Sequence, residues 1–159
     1  MTQRDSTHRS GAHTRAAAAP AWRFALGGAL AAAAAAAGNL AWRSTFTSMT
    51  GELVPALIDT TSVATASALS VLLAAGIYLL LARGLTIATP LYILGCLVTA
   101  GASCVATMTP LMPDGSPTPP GFMQLTVPMH LFAGLAAAVI VPLVVLIGVK
   151  ADRGPASGS

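Results

Sequence analysis

The chain has 159 residues, of which 55% are hydrophobic and only 8% charged, with a formal net charge of +3 and a mean hydropathy of +0.75. A soluble domain carries about 25% charged residues, so this composition cannot clothe a globule of its size in water, and lipid is the solvent it calls for. The basic excess does not make a nucleic-acid binder, which needs its cations clustered on one folded face; here they stand at the ends of apolar runs.

Residues 1–21, MTQRDSTHRSGAHTRAAAAPA, are polar and basic with no apolar periodicity. Such a segment cannot bury enough surface to offset the entropy of ordering, and it reads as a disordered tail. The first apolar run, 24–42, is rich in alanine and ends at Trp42. A basic leader, an apolar stretch and small residues also describe a cleaved signal peptide. The length, close to the ~20 residues of a span, and the interface-type tryptophan argue for a retained helix.

Residues 43–61 form a polar connection with Arg43, Glu52 and Asp59, in which GELVPALID has the apolar positions of a short surface helix. The second span, 62–82, ends at Arg83-Gly84, and the third, 85–108, follows so closely that the two form an antiparallel hairpin. The connection 109–126 holds Pro110, Pro113, Pro117, Pro119 and Pro120 and reads as an irregular, stiff loop. The fourth span, 127–149, places Pro128 in its first turn, where the missing donor costs nothing. Pro142 falls mid-span, where a kink is expected unless neighbours satisfy the freed carbonyl. A second short tail, 150–159, carries Lys150 and Arg153.

These runs predict an all-α, four-helix transmembrane bundle over 22–149. With both termini in the cytoplasm, Arg4, Arg9, Arg15, Arg23, Arg83, Lys150 and Arg153 lie inside and Arg43 alone lies outside, so seven of the eight basic residues obey the positive-inside rule.

His130 is the ionisable group within a span, and such residues face a bundle interior or a functional cavity. His130, Gly134, Ala137, Ala138 and Val141 share one helical face, whose small residues let helices approach closely. Gly28, Ala32, Ala35 and Asn39 make a similar face in the first span. In this threading Asn39, Asp59, Thr107 and His130 all stand near the outer ends of their spans, which predicts an outward-facing polar cluster. An Asp beside a His can shift its pKa and orient its ring, giving a proton-sensing or ligand site. The competing reading is a neutral imidazole bonded to Asn39 or a carbonyl, acting as glue between helices.

Cys96 and Cys104 lie eight positions apart in one apolar run, about 12 Å along a helix and beyond the roughly 7 Å reach of a disulfide. They read as small buried hydrophobes. Met49, Met108, Met112, Met123 and Met129 gather toward the outer side, and thioethers with imidazole suit cuprous copper; without a repeated ligand motif they are read as gap-fillers, and no cofactor or metal is assigned. Thr99, Ser103 and Thr107 recur every four residues. A conducting path would need a continuous polar lining, which the inner part of the spans lacks. Phosphate loops, H-E-x-x-H and G-x-S-x-G are absent from the sequence, so a non-enzymatic role is expected.

The basic leader, AGNLAW at the end of span one, the tight ARG turn between spans two and three, and MHLFAG opening span four are found together here. In these features residues 22–149 resemble an uncharacterised family of small four-span membrane proteins from actinobacteria, a domain of unknown function. The resemblance implies the four-span architecture and a pairing of Asn39 with His130; it implies no activity, and the proline-rich connection has no counterpart in it. The chain is thus expected to be a structural, accessory or regulatory component of a bacterial plasma membrane, with the bilayer, a second copy or another membrane protein as partner and no nucleic acid. The alternative expectation is a small-ligand or proton-sensing site on His130 with Asp59 and Asn39.

Overall fold

The computed structural model describes residues 19–51, 58–108, 111 and 115–151. The basic tail up to residue 18, most of GELVPALID, Met112 and the tail from residue 152 lie outside the described residues. Four helices carry the fold: α1 Ala21–Thr50, α2 Thr60–Gly84, α3 Ala88–Ala106 and α4 Phe122–Ala151. Each contains a stretch long and apolar enough to cross a membrane. Among the described residues there is no strand, only an isolated antiparallel bridge between Leu111 and Pro117.

Two helices are longer than hydropathy predicts. The stretch after Trp42, expected as connection, continues α1 to Thr50. Its hydroxyls bond back one turn, Thr45 to the Ala41 carbonyl at 2.9 Å, Thr47 to Arg43 at 2.8 Å, Ser48 to Ser44 at 2.8 Å and Thr50 to Phe46 at 2.9 Å. Gly51 then ends the helix in the left-handed region at φ 67° and returns its N–H to the Thr47 carbonyl, a stop that favours glycine.

Helix α4 begins at Phe122, earlier than the expected 127, so Pro128 sits in its second turn and not its first. The start is set by Gly121, at φ 76°, and by Phe122 N–H donating to the Pro119 carbonyl at 3.2 Å. α4 runs unbroken through both Pro128 and Pro142. Near the second, the Tyr92 hydroxyl donates to the Ala137 carbonyl at 3.2 Å, beside the Ala138 carbonyl that Pro142 deprives of its donor.

Consecutive helices run antiparallel, as cross-helix neighbours show: Asn39 meets Ser67 and Gly28 meets Ala75 between α1 and α2, while Trp42 meets Leu125 and Gly27 meets Val141 between α1 and α4. α1 and α4 form the central pair, α2 leans on α1, and α3 leans on α4; α2 and α3 touch each other lightly. One end of the bundle therefore carries the α1–α2 and α3–α4 connections and is termed here the connection end. The other carries the α2–α3 turn and is termed the turn end.

The packing inverts the pattern of a water-soluble bundle. Small residues fill the interior, among them Ala31, Ala35, Ala75, Ala82, Ala88, Ala137 and Ala138, while Leu69, Leu73, Leu80, Val98 and Val105 are each more than 60% exposed. So much outward aliphatic surface is far beyond what a soluble monomer tolerates. Close approach replaces bulk as the source of contact. A Cβ on Gly28 would stand 2.8 Å from Ala75 Cβ, and one on Gly134 would overlap Ala100 Cβ. Larger buried side chains gather at both ends: Phe46, Ile58, Leu125 and Met129 toward the connection end, and toward the turn end Tyr78, which meets Phe24 edge-on at 5.1 Å and stacks on Tyr92 at 4.5 Å.

Candidate functional site

Of the four residues predicted to share a polar cluster, Asn39, Asp59 and Thr107 are held by three different sets of partners, and the His130 side chain is bonded to none of them. Asn39 faces α2, and its Nδ2 donates to Ser67 Oγ at 2.8 Å in a buried contact; Asn39 Oδ1 is buried without a partner. Ser67 in turn donates to the Val63 carbonyl at 2.7 Å. The pairing of Asn39 with His130 implied by the resemblance is therefore replaced by one with Ser67. α1 lies between α2 and α4, and its polar side chain turns to the hydroxyl on α2.

Asp59 is the N-cap of α2. Its carboxylate accepts from Thr61 N–H at 2.7 Å and Ser62 N–H at 3.0 Å, and from the Ser62 hydroxyl at 2.6 Å. These bonds, the Ser62 hydroxyl foremost, hold its pKa below the ordinary 3.8, with Arg43 adding a smaller attraction. Arg43 itself ties the connection down by donating from Nε to the Ile58 carbonyl at 2.8 Å. Thr107 donates to the Cys104 carbonyl of its own helix at 2.8 Å. Asp59 and Thr107 are thus engaged in helix ends, one at the start of α2 and one at the finish of α3.

His130 is hydrogen-bonded to none of the three. It is half-buried on α4 and lines a cleft of about 390 Å³ between α2, α3 and α4. The cleft exists because α2 and α3, although joined by a short turn, splay apart and leave the small-residue face of α4 as a floor of Ala133, Gly134 and Ala137. Polarity is graded along it. Antiparallel pairing of Cys104 with Val127 and of Gly134 with Ala100 sets His130 level with Ser103, toward the connection end. Thr99 and Ser70 follow, and the far part is walled by Leu73, Ile77, Leu81 and Leu91.

The side chains of His130, Ser103 and Thr99 make no hydrogen bond to any described residue. Ser70, by contrast, donates to the Ser67 carbonyl at 3.1 Å. Cys96 also lines the cleft, half-buried, with Cys104 buried two turns away on the same helix, and both thiols are free. Among the described residues, no three His, Cys, Asp or Glu side chains gather as a metal site would require.

Helical spacing groups His130 with Gly134 and Ala137, which line the cleft beside it, but does not group it with Ser103 and Thr99 of α3. The every-fourth-residue recurrence of Thr99 and Ser103 was the available signal, since residues three or four apart share a helix face. No protein-family model, curated protein or solved structure matches the chain.

Proposed function

We propose that the protein is a non-enzymatic accessory or regulatory component of a bacterial plasma membrane, with both termini in the cytoplasm, that binds a small ligand bearing a polar group in the α2–α3–α4 cleft beside His130. One observation carries the binding reading: three polar side chains of one cleft, His130, Ser103 and Thr99, have no protein partner among the described residues. In a bilayer core, polar groups that water cannot reach are costly unless something pairs with them. A ligand with a polar group would do so.

The threading is supported by the placement of seven of eight basic residues at the ends and at the α2–α3 turn. It turns the connection end, and with it His130, toward the external surface. The non-enzymatic reading is supported by how the hydroxyls are used. Ser67, Ser70, Thr107 and Thr126 donate to backbone carbonyls of their own helices, and none is hydrogen-bonded to His130 as an activated nucleophile would be. Membership of the actinobacterial four-span family remains part of this proposal and adds architecture only.

Two measurements test it. Reporter fusions at both ends and in the connections after α1 and α3 are expected to place the ends inside and the connections outside; an exported C-terminus overturns the threading. Native mass spectrometry of the full chain released from its own membrane is expected to show a small bound mass that is lost in Gly95→Leu. Gly95 lines the cleft and has open space where a Cβ would stand, so the substitution fills the cleft without crowding a helix. A bare chain in every preparation overturns the binding reading.

A further inference from the structure

Trp22 and Trp42 stand twenty residues apart on α1, ~30 Å of helix rise and about the thickness of a bilayer's hydrocarbon core. Tryptophan settles at the edges of that core, where an apolar ring with a polar N–H is at home. Trp22 is exposed at the turn end, and Trp42 is half-buried toward the connection end. Its N–H donates to the Leu125 carbonyl at 3.1 Å, which ties the same level to α4.

Cross-helix neighbours carry both levels around the bundle. At the connection end Leu125 is level with Ala106 through the Cys104–Val127 pair, and the Asn39–Ser67 and Gly28–Ala75 pairs bring 61–64 of α2 to the same plane. At the turn end the Gly27–Val141 pair sets Trp22 level with Leu146, the Gly134–Ala100 pair sets Leu146 level with Ala88, and α2 arrives at 81–84. The shortest helix, α3, runs Ala88–Ala106, so it begins at one plane and ends at the other. The charged residues among those described, Arg23, Arg43, Asp59, Arg83 and Lys150, all stand at or beyond these planes.

Packing changes character at the same level. Between the planes the helices meet mostly through alanine and glycine, because lipid gives bulky side chains no reason to turn inward. Phe46 and Ile58 lie beyond the Trp42 plane, and there they are buried in one cluster with Leu125, the behaviour of side chains that water drives together. We infer that the protein's apolar girdle fits a bilayer with ~30 Å of hydrocarbon, edged by Trp22 at the turn end and Trp42 at the connection end. Residues 43–50 of α1 then stand clear of the lipid as an ordered collar. His130, five residues along α4 from Leu125, is about 7 Å inside the nearer plane. A bilayer thinner or thicker than the girdle strains the bundle. The inference rests on the membrane part of the reading above and does not need the ligand.

The test uses the full chain in phosphatidylcholine vesicles whose acyl chains carry fourteen, eighteen or twenty-two carbons, and in vesicles brominated either near the headgroups or near the chain ends. The chain has two tryptophans, so Trp22→Phe and Trp42→Phe each leave one emitter. Each emitter is expected to lose more fluorescence to the shallow bromine than to the deep one. Met49→Trp, made with both native tryptophans replaced by phenylalanine, is expected to be quenched by neither, since Met49 is 79% exposed on the collar. The thermal midpoint of the wild type should be highest at eighteen carbons and fall on either side. Stronger quenching of either native tryptophan by the deep bromine, quenching of the Met49→Trp emitter, or a midpoint indifferent to acyl length overturns the inference while the membrane reading stands. A chain that fails to float with the vesicles overturns both.

Discussion

Asn39 and Ser67 form a buried side-chain hydrogen bond of 2.8 Å across the α1–α2 interface, and it satisfies only half of the carboxamide, because Asn39 Oδ1 has no partner. The bond is a seam between two helices whose other contacts are mostly alanine and glycine. Hydrogen bonds between membrane helices average about 0.6 kcal/mol and reach about 1.7 kcal/mol. Removing only one member is the worse insult, since a buried polar group left wholly unpaired costs about 1–3 kcal/mol.

Ser67→Ala should therefore destabilise the bundle by about 1–3 kcal/mol, and adding Asn39→Leu should recover most of the loss by removing the stranded amide. Reversible unfolding of the purified chain in mixed micelles, arranged as a double-mutant cycle, checks this. Additive losses in the double variant would mean that the two side chains do not act as a pair.

The glycine contacts give a second expectation with an internal control. At Gly28 and Gly134 a Cβ would collide with Ala75 and Ala100, and forcing atoms into a packed interface costs about 1–3 kcal/mol. Gly76 lies in α2 with nothing within 4 Å of such a Cβ, so alanine there gains helix propensity, up to about 1 kcal/mol. Thermal midpoints should fall for Gly28→Ala and Gly134→Ala and hold or rise for Gly76→Ala. Equal shifts at all three positions would remove close approach as the basis of the packing.

The existence and order of the four helices were legible because apolar runs of ~20 residues have one structural meaning in a chain this poor in charge. The ends were less so. RSTFTSMT reads as loop by hydropathy, yet its hydroxyls spend themselves on carbonyls four residues back; Gly51 was the helix-stop signal that hydropathy ignores. Likewise Asp59 before Thr60-Thr61-Ser62 carries the signature of an N-cap, and its depth in the bundle drew it into a cluster it does not join. His130's face was readable from helical spacing. The cleft was not, because it arises from α2 and α3 splaying across α4, a matter of which helices are neighbours. The same fact decided that Asn39 turns to Ser67 and not toward α4.

The aromatic group near the turn end should be the most sensitive part of the interior. Tyr78 is fully buried, stacked on Tyr92 and hydrogen-bonded through its hydroxyl to Thr89 Oγ1 at 2.8 Å. Tyr78→Phe keeps the stack and loses one bond, about 0.5–1.5 kcal/mol. Tyr78→Ala empties the site, and deletions of large aromatics cost about 3–5 kcal/mol. Near-ultraviolet circular dichroism with unfolding curves separates the two. A Phe variant as damaged as the Ala variant would mean that the hydroxyl, and not the ring packing, holds this end together.

Asp59 supplies the pH dependence. Its pKa in the folded chain lies below 3.8, chiefly because of the Ser62 hydroxyl and N–H. A group whose folded pKa is depressed stabilises the fold when ionised, so its contribution is complete above the unfolded value and is lost as pH falls through the folded one. Between pH 5 and 8 the cap should leave stability unchanged with pH. Below about 3.8 the first turn of α2 should fray as the carboxylate takes up a proton and its bonds to Thr61 and Ser62 weaken. Asp59→Asn retains an acceptor for the cap and should flatten the acid limb, while Asp59→Ala should lower stability at every pH. Hydrogen exchange at the Thr61 and Ser62 amides, followed from pH 6 to 3, reads this directly, after correction for the intrinsic pH dependence of exchange. Protection that falls equally in wild type and Asp59→Asn would show that another group carries the acid response.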